Sequence, residues 1–153
     1  MIIRAMVLDD RPAVVQLGLK FAPAIPAFRP IMEDVSAESI EQFLDVLAGL
    51  EAKGFATMFV AEDRGGELRG LLAIGMIPNL MTGVMIAEEM AWFVDPEHRA
   101  RFVGPRLLTA AIEWARSNGL KGLKMGAPAG TAVGAFYESQ GFTPVETVFI
   151  LVL

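Results

Sequence analysis

The chain contains no cysteine and only one histidine, His98. The first absence excludes disulfides, thiolate metal sites and a cysteine nucleophile. The second excludes a metal centre built from several imidazoles, and no metal site is expected. Positive charge is also scarce, with 13 Lys and Arg against 18 Asp and Glu and a net charge of −5. A nucleic-acid backbone is therefore not an expected partner. Long apolar runs are missing too, although 54% of the residues are hydrophobic. Stretches such as "LLAIGMIPNLM" (Leu71 to Met81) are broken by Gly, Pro or Asn. None approaches the ~20 residues of a bilayer span, so no membrane association is expected. The opening "MIIRAMVLDDRP" lacks the apolar core and small-residue cleavage site of a signal peptide, which makes the cytoplasm the expected location.

A length of 153 residues suits a single domain covering residues 1–153. The apolar surplus fits a sheet covered on both faces, or a homodimer contact. Residues 2–7 read as a short strand. Asp9 or Asp10 is placed to cap a helix that tolerates Pro12 in its first turn. "APAIPAFRP" holds three prolines in nine residues and reads as a loop or extended crossing. Ser36 reads as an N-cap, and Ile40, Phe43, Leu44, Leu47 and Leu50 form one helical stripe that stops at Gly54. Three strands follow, over residues 55–62, 67–77 and 84–94, joined by "DRGG" and "PNLMTG" turns into an antiparallel meander. A helix is expected from about Gly104 to Ser117, closed by Asn118-Gly119. After it come a strand at residues 120–126, a short helix ending at Gly141 and a last strand, "VETVFILVL". The fold class is α/β, a mixed sheet in which the meander leads into a parallel β-α-β crossover.

Three arginines and the one histidine crowd a single stretch, "VDPEHRARFVGPRLL" (Val94 to Leu108). A helix start leaves backbone N–H groups unpaired and carries partial positive charge, so a loop running into it suits phosphate. Gly104 allows close backbone approach, and Pro105 at the first helical position has no N–H to lose. Arg99, Arg101 and Arg106 add charge at the same point. A solvated basic loop is the plainer reading of such a stretch taken alone. Its position at the end of a long strand, inside a strand–loop–helix–strand unit, favours a ligand site.

This stretch resembles the acyl-CoA motif of the GNAT N-acyltransferase superfamily: a Val-x-Pro strand end, Arg/Gln-x-x-Gly-x-Gly/Ala, then a Leu-Leu helix. "AFYESQGF" (Ala135 to Phe142) is similar to the same family's Phe-Tyr-Glu-x-x-Gly-Phe segment. The likeness covers roughly residues 55 to 150, and its wording is closest to phage and prophage members. It implies the GNAT fold and acetyl-CoA, or another acyl-CoA, as co-substrate. It also implies transfer of an acetyl or short acyl group to a primary amine on a small molecule or peptide, by direct attack. Arg99 takes the first place of the phosphate motif and Gly104 its last glycine. The backbone from Ala100 and Arg101 through Phe102 and Val103 to Gly104, with that around Pro105 and Arg106, would hold the pyrophosphate. Ala100 and Phe102 stand where the family usually has glycines. The backbone of Phe93 and Val94 would pair with the pantetheine arm. Tyr137 takes the place of the tyrosine that protonates the departing thiolate. With a phenol pKa of about 10 against about 8.5 for the thiol, it could do so at neutral pH.

Glu88 and Glu89 lie where the family's bases occur, one on each face of a regular strand. A bulge is common there, so strand parity does not choose between them. His98 reads as a solvated loop residue or a nucleotide contact. Met76, Met81, Met85 and Met90 read as core or as an acceptor pocket. "FAPAIPAFRP" falls where the family places its variable acceptor-side loop, in which Phe21, Phe28 and Arg29 either touch the acceptor or only tie the loop down. Two other readings stay open: an acyl-CoA-binding or structural protein without catalysis, and an α/β module for a different nucleotide.

Overall fold

The computed structural model describes residues 1–24, 32, 34–151 and 153, with side chains omitted at residues 22–24, 100 and 101. The sequence segment that contains Phe28 and Arg29 lies outside the described residues. Strand β1 (Ile2–Ala5) leads through a 3-10 turn (Leu8–Asp10) into α1 (Arg11–Ala24). Helix α2 (Ala37–Glu51) precedes the meander β2 (Ala56–Glu62), β3 (Leu68–Pro78) and β4 (Met85–Val94). A 3-10 turn (Pro96–Arg101), α3 (Val103–Ser117), β5 (Leu123–Lys124) and α4 (Val133–Ser139) complete the chain.

The five strands form one sheet in sequence order. Pairing is antiparallel from β1 to β4 and parallel between β4 and β5. Helices lie on both faces. Val14, Leu17, Leu44 and Leu47 from α1 and α2 pack on Met58, Val60, Leu71 and Phe93. On the other face Val103, Leu107 and Ala111 of α3 cover Leu72 and Ile74. Leu72, Ile74 and Leu107 are fully buried, each contributing about 1.5–3 kcal/mol of hydrophobic stabilisation. With apolar side chains needed on both faces of the central strands, the high hydrophobic content has a structural use.

Local signals explain most boundaries. Ser36 accepts the Ser39 N–H at 3.1 Å and starts α2, and Gly54 follows its end at φ +73°. In the "DRGG" turn Asp63 accepts the Gly65 and Glu67 N–H groups at 2.8 and 3.1 Å. Asp10 behaves differently from the expected helix cap. Its carboxylate turns back to accept the Val7 N–H at 2.8 Å and both terminal nitrogens of Arg4 at 2.6 and 2.8 Å. Arg4 also reaches Glu62 at 2.7 Å, which ties β1 to β2 as well as to the start of α1. The guanidinium holds the Asp10 carboxyl below its ordinary pKa.

Two expectations are corrected. The strand expected over residues 120–126 is shorter: its ladder with β4 is limited to Leu123 and Lys124, opposite Ala87 and Glu88, after Lys121 donates to the Met85 carbonyl at 3.2 Å. The expected last strand is not formed: residues 143–151 carry no regular structure, and Val145, Val148, Phe149 and Leu151 are exposed. Glu146 still reaches Lys124 of β5 at 2.5 Å, so this segment passes beside the sheet edge without a ladder.

Candidate active site

The site begins with an irregularity in β4. Ala91 sits opposite Ala73, but Glu89 sits opposite the very next residue of β3, Ile74, so Met90 is an extra residue. Such a bulge changes which side chains share a face. Trp92 pairs with Leu72 and Glu89 with Ile74, and both partners belong to the cluster under α3. Glu89 and Trp92 therefore face the α3 side together. Glu88, opposite Gly75, is on the other face and lies 3.4 Å from the Lys124 ammonium.

Beyond Glu88, strand β4 has no ladder with β5. The sheet opens there, and among the described residues no strand covers the edge of β4 from Glu89 to Val94. Around this opening, Glu89 Oε2 accepts the Gly126 N–H at 3.0 Å. Tyr137, from α4, lies 3.4 Å from the same carboxylate oxygen and donates to the Gly126 carbonyl at 3.1 Å. One peptide unit region at Gly126, just past β5, therefore holds both side chains. The Tyr137 ring stacks on Trp92 with centroids 5.6 Å apart and also meets Phe136 and Phe142. At 5% exposure it is buried. Sequence reasoning passed over Trp92 and Gly126, since an apolar-looking strand residue and a backbone amide leave no motif.

Burial sets the titration of this pair. Removal from water pushes the Glu89 carboxyl up to about 7, against smaller opposing effects from the Gly126 N–H and the Tyr137 hydroxyl. Burial, reinforced by the neighbouring carboxylate, holds the Tyr137 phenol well above its ordinary value. The site thus contains a carboxylate that gains a proton near neutrality and a phenol that keeps its own.

The loop after β4 is shaped by Asp95, which accepts the Glu97 N–H at 3.2 Å and pairs with Lys20 at 3.1 Å. Asp95, Glu97 and His98 can each place one donor atom within 4.8 Å of the others; with Asp95 already committed to Lys20, the group acts as an anchor for the turn. Phe102 ends the turn in the left-handed conformation, φ 58°, with 74% of the residue exposed. The glycine usual at this motif position thus corresponds here to a positive-φ backbone. The residue is exposed to solvent.

Helix α3 starts one residue earlier than expected, at Val103, so Pro105 is its third residue. Val103 and Gly104 open the helix and their N–H groups have no partner within it. The Arg106 N–H donates to Phe102 O at 3.2 Å and is already used. Arg99 Nε donates to Val94 O at 3.2 Å, folding the loop back on the strand end. Arg106 is turned outward to Met1 O at 2.8 Å. Ala100 and Arg101 lie in the 3-10 turn, and their side chains are outside the described residues. Phe93 points to the opposite face, edge-on to Phe21 at 5.6 Å. Gly104 is packed from behind: a Cβ there would sit 3.2 Å from Cζ2 of Trp92.

A surface hollow of about 490 Å³ lies elsewhere, between Ile3, Phe59, Arg106, Thr109, Glu113 and Trp114. It holds neither Glu89 nor Tyr137 and reads as the groove where α3 crosses β1 and β2.

The chain and its fold are similar to known proteins. Residues 26–142 match the model of the acetyltransferase (GNAT) family. No curated protein matches the chain significantly in sequence. Among solved structures, an acetyltransferase from Trypanosoma brucei aligns over 99% of both chains with a TM-score of 0.74 and 19% identity. A putative acetyltransferase from Agrobacterium tumefaciens aligns over 99% of both chains with a TM-score of 0.74 and 25% identity. AAC(6')-Iy, in complex with the bisubstrate analogue CoA-S-monomethyl-acetylneamine, aligns over 98% of this chain and 95% of its own, with a TM-score of 0.78 and 17% identity. The family match spans most of the chain and includes the opened β4–β5 pair, the turn into α3 and Tyr137; this chain belongs to the GNAT acetyltransferase family.

Proposed function

We propose that this protein transfers an acetyl or other short acyl group from acyl-CoA to a primary amine by direct attack, with Glu89 as general base and Tyr137 as general acid. The observation that carries this reading is the Glu89–Tyr137 pair, 3.4 Å apart where β4 parts from β5. Attack on a thioester needs a neutral amine near the carbonyl and an acceptor for its proton. A carboxylate titrating at about 7 suits that role. The departing thiolate needs a proton, and the buried Tyr137 hydroxyl retains one throughout the neutral range.

The co-substrate would lie along the uncovered edge of β4, its amides pairing with the backbone of Phe93 and Val94. Its diphosphate would meet the Val103 and Gly104 N–H groups, where the partial charge of the helix start favours an anion. Arg99 and Arg101 would supply further charge. No cysteine is present to carry the acyl group, which favours direct attack over a thioester intermediate. The structural neighbour bound to a CoA-linked acetylneamine analogue supports the same pairing of substrates in one cleft.

The test has two parts. Acetyl-CoA should raise the melting temperature, because a ligand of the folded state stabilises it by mass action. Release of free CoA is then measured against a panel of small amines, polyamines and peptides. Stabilisation without amine-dependent CoA release would assign an acyl-CoA-binding protein; stabilisation by ATP or NAD alone would assign a different nucleotide.

A further inference from the structure

Phe102 is the only non-glycine with positive φ among the described residues; the other six such positions are glycines. A side chain in this conformation crowds its own backbone, so an L-residue there is disfavoured relative to glycine. Burial of the ring does not offset this cost, since 74% of the residue is exposed. Strain held at a loop without a packing reason points to a use for the side chain. An exposed aromatic ring on a loop offers a flat apolar face to a partner.

Its location says which partner. Phe102 immediately precedes Val103 and Gly104, whose N–H groups open α3. If the reading under Proposed function holds, the diphosphate of the co-substrate sits on those groups and the pantetheine arm runs inward toward Glu89. The adenosine end must then leave outward, on the solvent side of the turn, where the Phe102 ring stands. Adenine is the one part of CoA with a flat aromatic face. We propose that Phe102 is a specificity-determining residue that stacks on the adenine of the co-substrate, an arrangement that replaces a backbone-only phosphate turn with one that also reads the base.

The inference rests on the acyl-CoA reading, and the experiment separates the two. Binding to the full chain is measured by calorimetry with acetyl-CoA and with acetyl-4'-phosphopantetheine, which keeps the thioester, the pantetheine and one phosphate but lacks the adenosine. Wild type, Phe102→Leu, Phe102→Trp and Phe102→Gly are compared, each with its melting temperature. Base–aromatic stacking predicts that Phe102→Leu weakens acetyl-CoA binding about tenfold. The same variant should bind acetyl-4'-phosphopantetheine as wild type does, and Phe102→Trp should bind acetyl-CoA at least as tightly. Phe102→Gly should melt higher than wild type without ligand, yet bind acetyl-CoA more weakly. Equal acetyl-CoA affinity in wild type and Phe102→Leu overturns the inference while leaving the acyl-CoA reading intact. So does an equal loss for both ligands, which would indicate a damaged turn. Wild type that binds neither ligand overturns the acyl-CoA reading itself and the stacking role with it.

Discussion

Glu89 and Trp92, three residues apart on one strand, project from the same face of the sheet because Met90 is bulged out between them. In a regular strand residues 88, 90 and 92 would share that face; Met90 would stand opposite Ile74, and Glu88 rather than Glu89 would face the α3 side. The bulge therefore selects which of two adjacent glutamates meets Tyr137. Replacing Glu89 with Gln should lower kcat by about 10²–10⁴, the usual contribution of a general base. Glu88→Gln should change kcat only a few-fold, since Glu88 faces Lys124. The wild-type rate should rise with pH through about 7 as Glu89 loses its proton, and that limb should be absent in the Gln variant. A pH–rate profile of both variants, with CoA release as the readout, decides it. A Glu88→Gln variant that loses the limb would reverse the assignment.

The same titration couples to stability. The Glu89 carboxyl is raised from 4.5 to about 7 in the folded chain, so between those values the native state binds more protons than the unfolded chain. Stability is thus fully present below about pH 4.5 and is lost as pH rises through about 7. The shift corresponds to about 3 kcal/mol. Glu89→Gln has no charge to bury, so its stability should stay flat across this window while wild type declines. Urea unfolding at pH 4.5, 6 and 8 would show the two curves diverging toward high pH; parallel curves would mean that Glu89 is not desolvated.

Tyr137→Phe removes the hydroxyl but keeps a ring that stacks on Trp92 and touches Phe142. The variant should fold and bind acetyl-CoA as wild type does, while kcat falls by about 10²-fold or more. If the hydroxyl protonates the thiolate, the loss should shrink with acyl donors whose thiol has a lower pKa, because such a group leaves without help. Steady-state rates with a series of acyl thioesters test this. A deficit that stays constant across the series would assign the hydroxyl to positioning Glu89 through the Gly126 carbonyl bond.

Much of this was legible in the residues, and the parts that were not share a physical reason. The meander, the crossover and the turn into α3 each announce themselves through local chemistry: Ser36 capping α2, the "DRGG" turn, glycines where φ is positive, and a periodic apolar stripe. The bulge at Met90 does not, because it is set by how β4 must face β3 and α3 at once. The short pairing of β5 likewise depends on where the sheet opens, which no residue in "LKGLKMG" encodes alone. "VETVFILVL" has every local feature of a strand. Its described residues form none, because strand propensity needs a partner ladder, and the link this segment makes to the sheet edge is the ion pair of Glu146 with Lys124. Trp92 was invisible for the opposite reason: its part is played by shape, against Tyr137 on one side and Gly104 on the other.

That last contact makes a prediction of its own. In an exposed helix, Gly→Ala stabilises by about 1 kcal/mol through helix propensity. At Gly104 the added Cβ would meet Cζ2 of Trp92 at 3.2 Å, tighter than ordinary van der Waals contact. Trp92 is held by Tyr137 and Phe136 and has little room to retreat. Gly104→Ala should therefore destabilise, by about 1–2 kcal/mol, as overpacking does. It should also displace the start of α3 and weaken acetyl-CoA binding. Trp92→Phe lacks the atom that collides, so the double variant should be more stable than the sum of the two single effects, by about 1 kcal/mol. Urea unfolding of the four proteins closes this cycle. Coupling of that sign would show that Gly104 is required by the indole behind it; strict additivity would leave close approach of the phosphate as the reason for glycine at this position.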